Sequence, residues 1–284
     1  MKPMRLWEKF LARLRGGPTV EPRVALVLGG GAARGFAHVG VIRVLEQEKI
    51  PVHMIVGTSV GSLIGAIYAA APDSLKLEMI AFQLERDDLL DYSLLTLKKG
   101  LIVGDRLERF VAQKVSVSRI EDLKIPFAAV ATDIRSGERI ILNRGPLAPA
   151  VHASCALPGI FQPVERDGRL LVDGGVLESL PVPTAKSLGA DVAIAVDVGA
   201  GVKEIQAADI VTVMIQALSI SGAEMRRRHA QEADVLIHPD VNGVSAFDFT
   251  QKERCLSAGI AATREALPRI REVLAAHRIH LSRS

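Results

Sequence analysis

Cysteine is nearly absent from this chain. Cys155 and Cys255 are the only two in 284 residues, they lie far apart, and neither belongs to a CxxC or Cys/His cluster. A disulfide framework and a zinc site are therefore both unsupported, and a reducing compartment, the cytoplasm, is expected. Aromatic residues are scarce too, at 4%, and nowhere do they alternate with basic side chains as a base-stacking surface requires. With a net charge of only +3, nucleic acid is not an expected partner. No Pro/Gly/Ser-rich linker and no internal repeat interrupts the sequence. What remains is 49% hydrophobic and 24% charged, the composition of an ordinary globular α/β protein long enough for a substantial core.

The charge that is present is unevenly placed. In the first twenty residues Lys2, Arg5, Lys9, Arg13 and Arg15 face the single acid Glu8, while Leu6, Trp7, Phe10, Leu11 and Leu14 share one face of a helical wheel. Charges interrupt the apolar residues throughout, so the segment is not a secretory signal. It reads either as an interfacial helix, making peripheral contact with an anionic membrane through residues 1–16, or as a helix docked on its own domain or a partner. The expected division is thus a basic amphipathic segment, 1–20, and one catalytic domain, 21–284.

One long uncharged run stands out: "MIVGTSVGSLIGAIYAAAP", residues 54–72. Its length approaches that of a bilayer-crossing helix. Three glycines and β-branched residues in its first part oppose a continuous helix, and the run reads better as a buried strand, a sharp turn and a helix. The same alternation holds along the chain. "VALVLGG" is a short apolar strand, "GFAHVGVIRVLEQEKI" has helical spacing until Pro51, and residues 73–122 are mainly helical. Strands return in "PFAAVATD", "ERIILN", "FQPVE" and "RLLVD", joined through the turn residues "RSGE" and "RDG". "DVAIAVDVG" and "DVLIHP" are apolar enough to be covered on both faces, with helices expected over roughly 205–230 and 248–276. The fold class predicted is α/β, three layers (α/β/α) around a mainly parallel sheet.

Within the uncharged run, "GTSVG" matches Gly-x-Ser-x-Gly with a strand before it and a helix after it. There a serine occupies a tight elbow with its hydroxyl exposed at the strand end, which makes Ser59 the candidate nucleophile. A nucleophilic serine needs donors for the oxyanion formed at the attacked carbonyl. "GGGAARG", residues 29–35, also lies between strand and helix, so its backbone N–H groups can converge on an anion. A nucleotide site is the rival reading of this loop. It lacks the Lys-Ser/Thr of a P-loop and does not spell Gly-x-Gly-x-x-Gly, and no acidic ribose ligand ends the second strand. Asp173 ends the strand "RLLVD" before two glycines, where a carboxylate is presented without crowding; a turn-capping role is the alternative, and Asp133 and Asp197 share its strand-end location. Ser154 and Cys155 have no nucleophile frame. "RRRH" at 226–229 reads as a solvated helix face, with contact to a phosphate headgroup as the alternative.

Taken together, "GGGAARG", "GTSVG", "ASCALPG" at 153–159 and "DGG" at 173–175 resemble the bacterial branch of the patatin-like phospholipases, over about residues 24–200 and onward. The resemblance implies a patatin-like fold and a serine acyl hydrolase acting on lipid esters through a Ser-Asp dyad, with no calcium, other metal or cofactor. By position, Ser59 is then the nucleophile and Asp173 the base; Gly30, Gly31 and Ala32 supply the oxyanion region, and Arg34 holds that loop. The loop is one residue longer than the family's Gly-Gly-Gly-x-Arg-Gly form, which leaves open which two amides point inward. Two alternatives remain beside this reading: a non-catalytic lipid-sensing or regulatory protein on the same fold, and a Ser-His-Asp hydrolase using His238, His38 or His152.

Overall fold

The structure, a computed structural model, describes residues 19–85, 102–199, 210–246 and 248–280. The basic segment read over residues 1–16 lies outside them, as does part of the stretch 73–122.

An eight-stranded sheet forms the centre. Its strands are β1 (Val24–Leu28), β2 (Met54–Thr58), β3 (Phe127–Asp133), β4 (Glu138–Leu142), β5 (Val164–Arg166), β6 (Arg169–Asp173), β7 (Val192–Val196) and β8 (Val235–Ile237). Parallel pairing joins β3, β2, β1, β7 and β8 in that order. β4 and β6 pair antiparallel with β3, and β5 with β6. The sheet is therefore mainly parallel, as predicted, with an antiparallel extension at one side.

Burial of both faces explains the continuous apolar runs. Along β1 the side chains of Val24, Leu26 and Leu28 enter one core cluster and those of Ala25 and Val27 the other. In β7, Val192, Ile194 and Val196 face the first cluster and Ala193 and Ala195 the second. Period-2 alternation thus sorts large from small side chains rather than apolar from polar. The thicker layer holds α1 (Phe36–Gln47), α2 (Val60–Ala70), α3 (Ser74–Gln83), α4 (Asp105–Lys114), α5 (Leu147–Cys155) and α9 (Lys252–His277); α7 (Val182–Ser187) covers the opposite face, after the short α6 (Gly175–Glu178). α8 (Ile210–Ala230) packs on α6.

α9 clamps α1 at very close range. A Cβ on Gly40 would run into the Leu256 carbonyl, and one on Gly259 into the Ala37 carbonyl, so each helix presents a glycine where the other's backbone passes. The uncharged run 54–72 resolves into β2, an elbow at Ser59 and α2. No helix among the described residues is long and apolar enough to cross a membrane.

Candidate active site

Register places the two central residues side by side. β3 pairs with β2 as far as Thr58 opposite Val130, while β4 occupies the other edge of β3. At Thr58 the β2 strand ends and the chain turns away. The edge of β3 that it vacates is taken by β6, whose last residue, Asp173, pairs with Ala131, the next residue along. Because β6 runs antiparallel to β3, its C-terminal end meets the C-terminal end of β2.

Ser59 itself holds φ +54° and ψ −129°, a conformation that a non-glycine residue adopts only under constraint. The constraint is visible. The Ser59 N–H donates to Ser154 Oγ at 3.0 Å, and that hydroxyl donates to the Val130 carbonyl at 2.6 Å, tying the elbow to β3. The Ser59 carbonyl accepts from Ser62 Oγ at 2.7 Å and from the Ser62 N–H at 2.8 Å, starting α2. Thr58 Oγ1 donates to the Glu178 carbonyl at 2.8 Å.

Asp173 is 4% exposed, and the Ser59 side chain lies near enough to its carboxylate to act on its pKa. Oδ1 also accepts the Gly175 N–H at 2.7 Å. Burial pushes its pKa up to about 6, outweighing the Gly175 hydrogen bond and the nearby Ser59 hydroxyl, which favour the charged form. The carboxylate is thereby a better proton acceptor than an aspartate in water.

The glycine loop closes one side. Gly29 N–H donates to Val196 O at 3.1 Å and Gly30 N–H to Ser179 O at 2.8 Å, so Gly30, although it lines the cavity, has its amide engaged elsewhere. Gly31 and Ala32 line the same cavity as Ser59, and neither N–H has an acceptor among the described residues. Ala32 sits at φ +51°. Val60, the first residue of α2, adds a helix N-terminal amide with no intrahelical acceptor. Arg34 Nε donates to the Gly31 carbonyl at 3.1 Å, consistent with the loop-holding role expected of it.

Two cavities meet at Ser59. One is an apolar slot of about 780 Å³ including its mouth, lined by Phe36, Leu63, Leu107, Ile160, Phe161 and Phe249 among others. The second is a polar mouth shared by Asp173, Gly31, Arg34, Ser179 and Arg226. Among the described residues, no histidine lines either cavity. His38 is buried with Nε2 donating to the Gly29 carbonyl at 2.8 Å, and burial lowers its pKa to about 4, so it is a neutral pin for the loop. His152 pairs through Nδ1 with Glu108 at 2.7 Å, and His238 lies 3.8 Å from Asp197.

The sequence reading left Ser154 without a role, and the structure makes it the support of the elbow. Its signal was in the "ASCALPG" motif, but nothing in one dimension shows that α5 runs beneath Ser59. Cys155 was read as a buried thiol; it lines the apolar slot, in contact with the side chains of Ser59 and Ser62, and burial, followed by the charge of Asp173, pushes its pKa up. Asp133 is engaged by Arg135, Ser136 and Leu170, and Asp197 by Gly199, so neither competes with Asp173.

Comparison with known proteins adds an independent line. Residues 26–186 match the family described as patatin-like phospholipase. An uncharacterised NTE family protein of Mycobacterium tuberculosis is 40% identical over 187 residues, 65% of this chain and 51% of that protein. Human patatin-like phospholipase domain-containing protein 6 is 36% identical over 197 residues, 66% of this chain and 14% of that much longer protein. The chain thus spans about half the length of the mycobacterial relative and a small part of the human one. Among solved structures, VipD from Legionella pneumophila aligns over 93% of this chain and 69% of its own with a TM-score of 0.59 at 16% identity, a likeness of fold. Both the sheet that brings Ser59 to Asp173 and the matched segment that contains them lead to one assignment: the chain belongs to the patatin-like phospholipase family.

Proposed function

We propose that the chain is a serine hydrolase of lipid carboxylic esters, with Ser59 as nucleophile and Asp173 as general base. One observation carries the reading. A serine held at φ +54° on a strand-to-helix elbow shares a cavity with a buried aspartate whose pKa is raised to about 6, where an apolar slot meets a polar mouth. An acyl chain matches the apolar lining of the slot, which places its carbonyl at Ser59.

Acyl transfer then proceeds in two steps. Ser59 Oγ attacks the carbonyl carbon as its proton passes to Asp173, and the carbonyl oxygen becomes an oxyanion. The amides of Gly31, Ala32 and Val60 are the available donors for it. Asp173 returns the proton to the departing alkoxide, leaving an acyl-serine. Water, deprotonated by Asp173, attacks that ester, and the proton goes back to Ser59 as the fatty acid is released.

Labelling with a fluorophosphonate, with the adduct mapped, tests the assignment. Wild-type protein is expected to be modified at Ser59 and to hydrolyse a panel of lipid esters, and Ser59→Ala to do neither while melting normally. Lipid binding without labelling or turnover would identify a non-catalytic lipid sensor instead.

A further inference from the structure

Glu178 is a buried acid that the proposed reaction does not use. It closes the short helix α6 that follows Asp173, is 1% exposed, and lines neither cavity at Ser59. Both of its side-chain oxygens are engaged. Oε1 accepts the Thr184 N–H at 2.8 Å, and Oε2 accepts Thr184 Oγ1 at 2.7 Å and Arg139 Nη1 at 2.9 Å. The Thr184 amide belongs to the first turn of α7, whose N-cap residue Pro181 makes no side-chain hydrogen bond to it, so Glu178 satisfies an otherwise open helix end. Arg139 comes from β4. One carboxyl thereby joins α6, α7 and the sheet.

Its main chain reaches the site. The Glu178 carbonyl accepts Thr58 Oγ1 at 2.8 Å, from the residue before the nucleophile. The next carbonyl, that of Ser179, accepts the Gly30 N–H at 2.8 Å, from the residue before Gly31 and Ala32. At the other end of α6 the Gly175 N–H holds Asp173 Oδ1 at 2.7 Å, and the Glu178 N–H closes the turn on the Gly174 carbonyl at 2.7 Å. Elbow, glycine loop and base are thus attached to one turn of helix. A leucine would bury as well here without the desolvation of a carboxyl, and a buried ion pair by itself adds little to stability. What an apolar side chain lacks is the directed hydrogen bonds to Arg139 and Thr184 that orient residue 178, and with it the two carbonyls.

We propose that Glu178 is a positioning residue: anchored by Arg139 and Thr184, it sets the turn at 178–179 that aligns the Ser59 elbow and the oxyanion loop with Asp173. The proposal rests on reading Ser59 as nucleophile and Asp173 as base, and adds a residue that touches neither substrate nor reacting atoms. Misalignment of the three slows bond making, while the apolar slot that binds the substrate stays as it is.

Three variants, assayed on a soluble short-chain ester well below their melting temperatures, test it. Glu178→Leu removes every acceptor, and Glu178→Gln keeps one for the Thr184 N–H. Ile237→Ala, in the edge strand β8 on the opposite side of the sheet from Asp173, opens a core cavity and serves as the control for lost stability. Arg139, freed by either Glu178 substitution, is 37% exposed and meets water. Glu178→Leu is expected to lower kcat about 10–100-fold with KM changed little. Glu178→Gln should recover part of that loss, and Ile237→Ala should lower Tm without lowering kcat. Amide hydrogen exchange reads the same coupling without turnover: segments containing Gly30 and Ser59 should exchange faster in Glu178→Leu and not in Ile237→Ala. Faster exchange there, beside a wild-type protein that neither labels at Ser59 nor hydrolyses esters, would support the positioning of elbow and loop and overturn the hydrolase reading alone. Wild-type kcat in Glu178→Leu, a loss confined to KM, or unchanged exchange at both segments would overturn the proposal. If Glu178→Leu does not fold, Glu178→Gln decides, and wild-type kcat with unchanged exchange in that variant overturns it.

Discussion

Asp173 carries opposite consequences for activity and stability. Its carboxylate must be ionised to accept a proton, so kcat/KM should fall as pH drops below about 6, with a pH–rate profile as the measurement. For folding the sign is reversed. A carboxyl whose pKa is raised in the folded state contributes its full stabilisation below the unfolded value of ~3.9, and that contribution is lost as pH rises through about 6. Asp173→Asn should therefore nearly eliminate turnover while raising Tm at pH 7, because the amide needs no ionised state in the buried site; a variant that stays active, or melts lower, contradicts the role given to this carboxylate. Ser154→Ala removes the acceptor of the Ser59 N–H and the donor to Val130, leaving both backbone groups unsatisfied. A loss of ~1–3 kcal/mol in urea unfolding is expected, with kcat falling more than KM rises as the elbow loosens. The Gly-x-Ser-x-Gly frame sets Ser59 apart in the sequence, whereas the supporting place of Ser154 is visible only in its hydrogen bonds.

At the scale of elements, the glycine loop depends on a helix contact that lies away from both cavities. α9 passes over α1 at Gly40 and Gly259, and α1 follows directly on the loop that supplies Gly31 and Ala32. Gly259→Ala would set a methyl group against the Ala37 carbonyl and push the two helices apart. Overpacking of this kind typically costs ~1–3 kcal/mol, and thermal melting should register it as a drop of several degrees. Hydrolysis of a short ester should fall with it at temperatures below the melt, since displacement of α1 moves the loop. The helical spacing of residues 36–47 and 252–277 is visible in the sequence. Their contact is not, since a glycine in a helix reads as a weak point until the partner backbone is seen.

For the whole molecule, the question is how a lipid reaches the slot. The slot and the polar mouth meet at Ser59, and no helix among the described residues is long and apolar enough to span a bilayer. Substrate delivery is expected to use the basic amphipathic segment at residues 1–16, outside the described residues, through peripheral contact with anionic lipid. Removing residues 1–18 should weaken co-sedimentation with anionic vesicles and leave hydrolysis of a soluble short-chain ester intact, and added salt should mimic the truncation. Vesicle binding that is equal with and without the segment, or indifferent to salt, would assign the segment to packing instead.

Local pattern alone carried a good part of this. Apolar runs mark β1, β7 and most of β2 and β3, because strands covered on both faces leave few polar positions. "GTSVG" between such a strand and a helix marks Ser59, since the elbow needs small residues in consecutive positions. Asp173 was one strand-end acid among three, set apart locally by the two glycines that follow it, and the resemblance decided for it. Only the tertiary structure decided the rest. The register of β6 on the edge of β3 puts Asp173, and neither Asp133 nor Asp197, beside Ser59. The bond from Gly30 to Ser179 removes one of three amides from the oxyanion candidates, and the rotation of α8 buries Arg226 while Arg227 and Arg228 face solvent. Each of these is a relation between segments far apart in the chain, and a sequence records which side chains are present, not which of them meet.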